Sequence, residues 1–153
     1  MWESDLAEAQ QLEDRLAEIF RNNYPCKEVV TSSSIFGVDT SFPEWDIKIV
    51  LDDDSEVLVE LKSDKLADTT GNIAIEFGKV TNDEWIKTGI SVSQSTVWVQ
   101  YFSQCFYAIE TETLRKMIEN KEYSRIQVGG KNRCTRFYLF PVELFKKLAI
   151  VIN

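Results

Sequence analysis

Two acidic residues and a lysine near the middle of the chain have the types and spacing to form a metal-binding site. Asp46, Glu60 and Lys62 all lie in the stretch EWDIKIVLDDDSEVLVELK, residues 44–62. Two carboxylates that face each other repel unless a cation lies between them. Hard cations such as Mg²⁺ take oxygen ligands and are commonly held by one or two carboxylates together with several waters. A divalent metal ion is therefore the candidate partner.

The elements around these residues predict that the two carboxylates meet. Apolar residues alternate on both sides of the acidic run Asp52–Asp54, which predicts a β-hairpin with a tight turn. Directly opposed residues share a face, so Asp46 meets Glu60 only across a loop with an odd number of residues. A three-residue loop, Asp52–Asp54, satisfies this condition and places their Cβ atoms about 4.5–5.5 Å apart. The resulting register pairs Ile47 with Val59 and Ile49 with Val57.

A third carboxylate lies on a predicted amphipathic helix at residues 4–22. At about 100° per residue, Glu13 borders the apolar stripe of that helix, whereas Glu18 faces water. A carboxylate at the margin of the core should have a partner. The alternative is an ordinary flanking residue whose head reaches solvent, and the sequence leaves both interpretations open.

The rest of the chain predicts an α/β fold, a mixed sheet layered with helices. Its length of 153 residues suits a single domain, residues 1–153. Apart from the hairpin, the pattern predicts strands at 27–36, 73–77, 95–102, 105–109, 123–128 and 135–140, with a loop at 37–43. It also predicts a short helix or turn at 81–88, a helix at 112–120 with Thr111 as N-cap, and a terminal helix at 141–151.

Composition excludes several kinds of chemistry. The chain has no histidine, which removes Ser-His-Asp and Cys-His catalysis and every histidine-dependent metal site. Its three cysteines, an odd number at wide spacing, indicate buried free thiols instead of disulfides or a zinc site. No signal peptide or long apolar run is present, which favours a cytoplasmic protein that does not associate with membranes.

The charge is unevenly distributed along the chain. The net charge is −8, but residues 1–109 contain 20 acids and 8 bases, whereas residues 110–153 contain 5 acids and 9 bases. A net negative charge disfavours binding to nucleic acid, but the excess of bases in residues 110–153 is compatible with it.

The pattern of Asp46, a hairpin and then Glu60-Leu61-Lys62, preceded by a helix with Glu13, resembles the PD-(D/E)XK or restriction-endonuclease-like nuclease superfamily. Its spacing is similar to that of Holliday-junction resolvases, and the segments TGNIAIE and TETLRKMI are similar to the layout of phage-type members. Trp45 stands where the family has proline. Gln94 and Trp98 have the spacing of a QxxxY motif found in some members, with tryptophan in place of tyrosine.

The resemblance implies a restriction-endonuclease-like core and metal-dependent hydrolysis of phosphodiester bonds in DNA. Mg²⁺, for which Mn²⁺ would substitute, would be held by Asp46, Glu60, the carbonyl oxygen of Leu61 and Glu13, directly or through water. Lys62 would orient or deprotonate the attacking water, or stabilise charge on the phosphate. By analogy with resolvases, the resemblance also leaves a homodimer open.

Basic residues outside the motif are candidate DNA contacts. Lys131, Arg133 and Arg136 cluster in one predicted hairpin, and Lys65 follows the motif in a loop. Glu76 is either an outward-facing strand carboxylate or a residue that lines the site. Two alternatives stay open: Glu60 and Lys62 form a solvated ion pair worth about 0–1 kcal/mol, or the protein is a non-catalytic nuclease-fold binding protein whose acidic surface contacts a protein partner.

Overall fold

The computed structural model describes residues 2–36 and 45–153, and the side chains of residues 2–6, 36 and 131 lie outside the described part. The fold is α/β, with a mixed central sheet and flanking helices. Its helices are α1 (Trp2–Asn23), α2 (Ser32–Phe36), α3 (Ala67–Thr70), α4 (Thr111–Glu119) and α5 (Val142–Leu148), with 3-10 turns at Gly89–Ser91 and Lys131–Arg133. Its strands are β1 (Glu28–Thr31), β2 (Ile47–Val50), β3 (Glu56–Ser63), β4 (Asn72–Thr81), β5 (Glu84–Lys87), β6 (Val97–Phe102), β7 (Cys105–Glu110), β8 (Arg125–Gly129), β9 (Thr135–Pro141) and β10 (Ile150–Ile152).

The larger sheet has six strands in the order β1-β2-β3-β6-β7-β10. Neighbouring strands are antiparallel except β3 and β6, which run parallel. The parallel pairing sets Glu60 beside Trp98 and Lys62 beside Gln100. A strand about forty residues further along the chain therefore supplies the neighbours of the predicted site.

The second sheet has four antiparallel strands in the order β5-β4-β9-β8. Ala74 pairs with Leu139 and Glu76 with Phe137, so these side chains share one face. The register shifts between Glu76 and Gly78, which marks a β-bulge at that point.

Two groups of buried side chains lie on opposite faces of the six-stranded sheet. Leu12 and Leu16 of α1 pack with Ile47 and Val59, which explains the apolar stripe of that helix. On the other side, Trp98 packs with residues of β4, β9, α4 and α5, among them Ile73, Ile75, Leu114, Phe140 and Phe145. Because successive side chains of a strand alternate, Glu60 lies on the side of Trp98 and not on that of α1.

The predicted hairpin and its odd loop are confirmed. Ile47 pairs with Val59 and Ile49 with Val57. The turn is closed by the Leu51 N–H, which donates to the Ser55 carbonyl at 2.8 Å, and by the Asp54 N–H, which donates to the Leu51 carbonyl at 2.9 Å. Asp54 adopts φ of 69°, the left-handed conformation that ends a three-residue hairpin loop.

Four predicted elements were wrong in whole or in part. The strand at 27–36 ends at Thr31, because the Ser34 hydroxyl donates to the Thr31 carbonyl at 2.7 Å and the chain turns into α2. The loop at 37–43 lies outside the described residues. The segment 81–88 contains β5, since Asn82 and Asp83 both adopt positive φ and form a hairpin turn.

The other two differences concern helix ends. Thr111 is the first residue of α4 instead of its N-cap, and its hydroxyl hydrogen-bonds Ser95. The terminal helix ends at Leu148, and the β-branched segment Ile150–Ile152 pairs with β7. The three cysteines are free but half-buried, not buried. Within residues 2–36 and 45–153, none of the helices combines the length and apolar character needed to cross a bilayer.

Candidate active site

The carboxylates of Asp46 and Glu60 meet at the start of β2. The Asp46 N–H donates to the Val59 carbonyl at 2.8 Å, although the strand register pairs Val59 with Ile47, so the ladder is irregular at Asp46. The carboxylate of Asp46 in turn accepts the Leu61 N–H at 2.7 Å. These two bonds hold Asp46 against β3, where its carboxylate also shares a hydrogen bond with Glu60.

Glu60 is a buried carboxyl group, with 6% of its surface exposed. Burial is the main cause that raises its pKa to about 8; a hydrogen bond shared with Asp46 and the charge of Asp46 raise it further. The ammonium group of Lys62 and the hydroxyl of Ser93 act in the opposite direction. Burial and Asp46 therefore both favour the protonated form of Glu60, which can donate to the Asp46 carboxylate.

Glu13 approaches from α1 with a hydrogen-bond partner that the sequence did not reveal. The Ser33 hydroxyl donates to Glu13 Oε1 at 2.9 Å and accepts from Gln10 Nε2 at 2.9 Å. Burial, as the largest cause, and the charge of Asp46 raise the pKa of Glu13 to about 7, whereas the bonds from Ser33 lower it. Glu18 is exposed and pairs with Arg21 at 3.3 Å, so the predicted difference between the two glutamates is confirmed.

Lys62 lies at the open side of the pair. Its side chain is exposed, and Nζ lies 5.9 Å from the centre of the Trp98 ring. Its charge lowers the pKa of Glu60, which places the ammonium group within electrostatic reach of the buried carboxyl. Lys62 is therefore an exposed cation on the same face of β3 as the buried Glu60.

A cleft of about 540 Å³ opens next to Lys62. Its walls come from α1, the end of β3 with the following loop, β4, β6 and β9, and include Glu76, Trp98, Gln100 and Phe137. The volume lies within the roughly 300–1,000 Å³ of small-molecule sites. Glu76 lines this cleft together with Lys62, whereas Asp46, Glu60 and Glu13 are not part of its lining.

A chain of buried hydroxyl groups lies behind Glu60. Ser93 Oγ is 2.9 Å from Ser95 Oγ, which is 3.0 Å from Thr111 Oγ1, and all three residues are at most 4% exposed. Arg115 donates to the Ser93 carbonyl at 2.6 Å and to the Ile90 carbonyl at 3.1 Å. The hydroxyl that bonds Glu60 is thus held from two sides.

The predicted DNA contacts do not gather in one place. Lys65 lines the cleft and pairs with Glu8 at 2.9 Å. Arg136 directly precedes Phe137 in β9 and therefore points away from the face on which Phe137 lines the cleft. Its guanidinium donates to the carbonyl of Arg133, which lies in the β8–β9 connection. The side chain of Lys131 lies outside the described part.

The carboxylate pair fits a divalent cation. Among residues 2–36 and 45–153, no three Asp, Glu, Cys or His side chains are close enough to form a metal cluster. Asp46 and Glu60 supply two, and Mg²⁺ is commonly bound by one or two carboxylates that leave several waters in place. Burial and the charge of Asp46 disfavour the ionised form of Glu60, and a bound cation would favour it. The Leu61 N–H, not its carbonyl, contacts Asp46, and the carbonyl remains a predicted ligand.

Sequence reasoning missed Ser33, Ser93 and Gln100. The hydroxyl-rich segment TSSS around Ser33 gave a signal, but it was interpreted as a strand. Gln100 and Ser93 reach the site only through the pairing of β3 with β6, for which the local pattern gave no signal. Comparison of the chain with protein-family models, curated protein sequences and solved structures finds no match.

Proposed function

We propose that the protein is a Mg²⁺- or Mn²⁺-dependent nuclease that hydrolyses phosphodiester bonds in DNA. One observation supports this most strongly: the buried carboxyl group of Glu60 hydrogen-bonds Asp46 within electrostatic reach of the ammonium group of Lys62, and Lys62 lines a cleft. A solvated strand ion pair does not account for this, since Glu60 is buried and hydrogen-bonds another acid.

Asp46 and Glu60 would hold the ion, and Glu13, which forms no three-carboxylate cluster with them among the described residues, would complete the site through water. The ion would lower the pKa of a bound water and neutralise charge on the phosphate. Asp46 is oriented by the Leu61 N–H, and Glu60 by Ser93, so neither carboxylate has to reorganise when the substrate arrives. Lys62 orients or deprotonates the attacking water, or stabilises the charge that develops on the phosphate.

The test is cleavage of supercoiled plasmid, single-stranded DNA and a four-way junction in Mg²⁺ or Mn²⁺. Glu60→Gln and Lys62→Met are each expected to slow cleavage by about 100-fold or more, the usual size of such catalytic contributions. Glu56→Gln is the matched control, because Glu56 lies on the same face of β3 but is exposed and paired with Lys48 at 3.5 Å. It should cleave like the wild type.

Two results contradict the proposal. Metal-dependent cleavage that survives both Glu60→Gln and Lys62→Met would place the active site elsewhere. A wild-type protein that neither cleaves DNA nor gains stability in millimolar Mg²⁺ or Mn²⁺ would favour the non-catalytic alternative, for which the net charge of −8 is the supporting observation.

A further inference from the structure

Gln100 presents an unused hydrogen-bond donor to the cleft. Its side chain lines the cleft and is 1% exposed, and its Oε1 accepts from Trp98 Nε1 at 2.8 Å. Because an indole N–H only donates, the amide atom that faces it must be the oxygen. The NH₂ group of Gln100 therefore lies on the other side, and no described residue accepts from it.

Glu76 presents an unused acceptor to the same cleft. It is half-buried on β4, and no described side chain forms a hydrogen bond or ion pair with its carboxylate. The other acids of the cleft have partners: Glu8 pairs with Lys65 at 2.9 Å, and Asp64 accepts the Ala74 N–H at 2.9 Å. Both groups are reached from the cleft, so a ligand that carries a donor and an acceptor could bond both in place of water.

The remaining walls define the shape and charge of that ligand. Phe137 contributes aromatic surface, which suits a flat ring, and Trp98, 1% exposed, only borders the cleft. Acids outnumber bases in the cleft, with Glu8, Asp64 and Glu76 against Lys62 and Lys65, so it is unsuited to a run of phosphates. A flat ring with donors and acceptors on its edge, joined to a phosphate at Lys62, is a nucleobase.

We propose that the cleft binds one unpaired nucleobase of the DNA substrate beside the scissile phosphate, and that guanine matches it best. The N1–H and N2–H groups of guanine donate to a carboxylate, here Glu76, while O6 accepts from an amide, here Gln100. A paired guanine uses this same edge for its partner, so the base must be unpaired or flipped out. This inference rests on the proposed nuclease function, and it makes DNA with unpaired nucleotides the substrate class.

Cleavage in Mg²⁺ is compared among labelled duplexes that are fully paired or contain one unpaired dG, one unpaired dT or one abasic site at a fixed position. Cleavage beside the unpaired dG should be about tenfold faster or more than beside the abasic site, the discrimination expected from a bidentate contact. Glu76→Gln should remove the preference for dG. Glu119→Gln is the control, since Glu119 is exposed on α4 and does not line the cleft.

Binding without metal separates the two proposals. The anisotropy of a labelled single strand with a central dG is compared with that of its abasic counterpart. Binding of the dG strand that is about tenfold tighter and that Glu76→Gln abolishes would support the base site even if no DNA is cleaved. DNA cleavage that shows no preference for the unpaired dG, together with equal binding of the dG and abasic strands, would overturn the base site and leave the nuclease function intact. A preference for dG that survives Glu76→Gln would overturn it as well.

Discussion

The raised pKa of Glu60 predicts how the stability of the protein depends on pH. The pKa of Glu60 is raised from 4.5 to about 8 in the folded chain. Below pH 4.5 the group is protonated in both states. As pH rises, the unfolded chain loses this proton first, so the free energy of unfolding falls until the folded pKa is reached. At about 1.4 kcal/mol per pKa unit, the loss between pH 5 and pH 8 is at most about 3–4 kcal/mol.

Glu60→Gln isolates this effect. Glutamine is neutral at every pH, donates to Asp46 and accepts from Ser93, as protonated Glu60 does. Urea unfolding in EDTA, followed by tryptophan fluorescence at several values between pH 5 and pH 8, should give a steep decline for the wild type and a shallower one for Glu60→Gln. The decline that remains belongs to Glu13, whose pKa is also raised. Glu56→Gln should follow the wild type.

A divalent metal should reverse the decline. At pH 8, Mg²⁺ at ten times its dissociation constant should stabilise the wild type by about 1.4 kcal/mol, and this gain should be lost in Glu60→Gln. Parallel pH profiles for the wild type and Glu60→Gln would refute the reasoning, because they would show that Glu60 does not retain its proton in the folded state.

Three further substitutions test the surroundings of the site. Ser93→Ala removes the hydroxyl between Glu60 and Ser95 and should lower the free energy of unfolding by about 1–3 kcal/mol, measured in urea; an unchanged value would show that this hydroxyl is dispensable. Gly89→Ala places a Cβ against the Glu76 carbonyl oxygen, at a position with φ of 56°. It should lower the free energy of unfolding by clearly more than Gly71→Ala, for which about 1 kcal/mol is expected because Gly71 has positive φ but open space around it. Equal losses would mean that the backbone moves apart without cost. Leu16→Ala, at a fully buried position of α1, should cost about 2–5 kcal/mol in the same assay, and a loss below 1 kcal/mol would contradict the packing of α1 on the sheet.

The hairpin could be predicted from the sequence because its information is local. Alternation assigns each side chain to a face, and an odd loop fixes which residues oppose one another. The pairing of Ile47 with Val59 follows from these two facts alone. The elements that were missed depended on finer chemistry, such as the side chain–backbone bond of Ser34 or the two positive φ angles at Asn82 and Asp83.

The surroundings of the site could not be predicted in the same way, because they depend on long-range pairing. The alternation of apolar residues in β6 does not indicate that this strand pairs in parallel with β3. That pairing sets Gln100 beside Lys62 and Trp98 beside Glu60. A shift of one residue in that register would turn Gln100 towards α1 and remove it from the cleft.

The position of Glu13 combines both kinds of information. The apolar stripe of α1 predicts that Glu13, and not Glu18, lies at the margin of the core, and the structure agrees. The partner that Glu13 meets at the margin of the core depends on how α1 lies across the sheet. Because α1 packs on the face opposite Glu60, Glu13 can approach Asp46 and Glu60 only at the end of the sheet. Ser33 stands at that end, where the Ser32 N–H donates to the Asp46 carbonyl at 2.8 Å, and its hydroxyl fixes Glu13. The third carboxylate is therefore linked to Asp46 by the start of α2, an element that apolar alternation alone could not indicate.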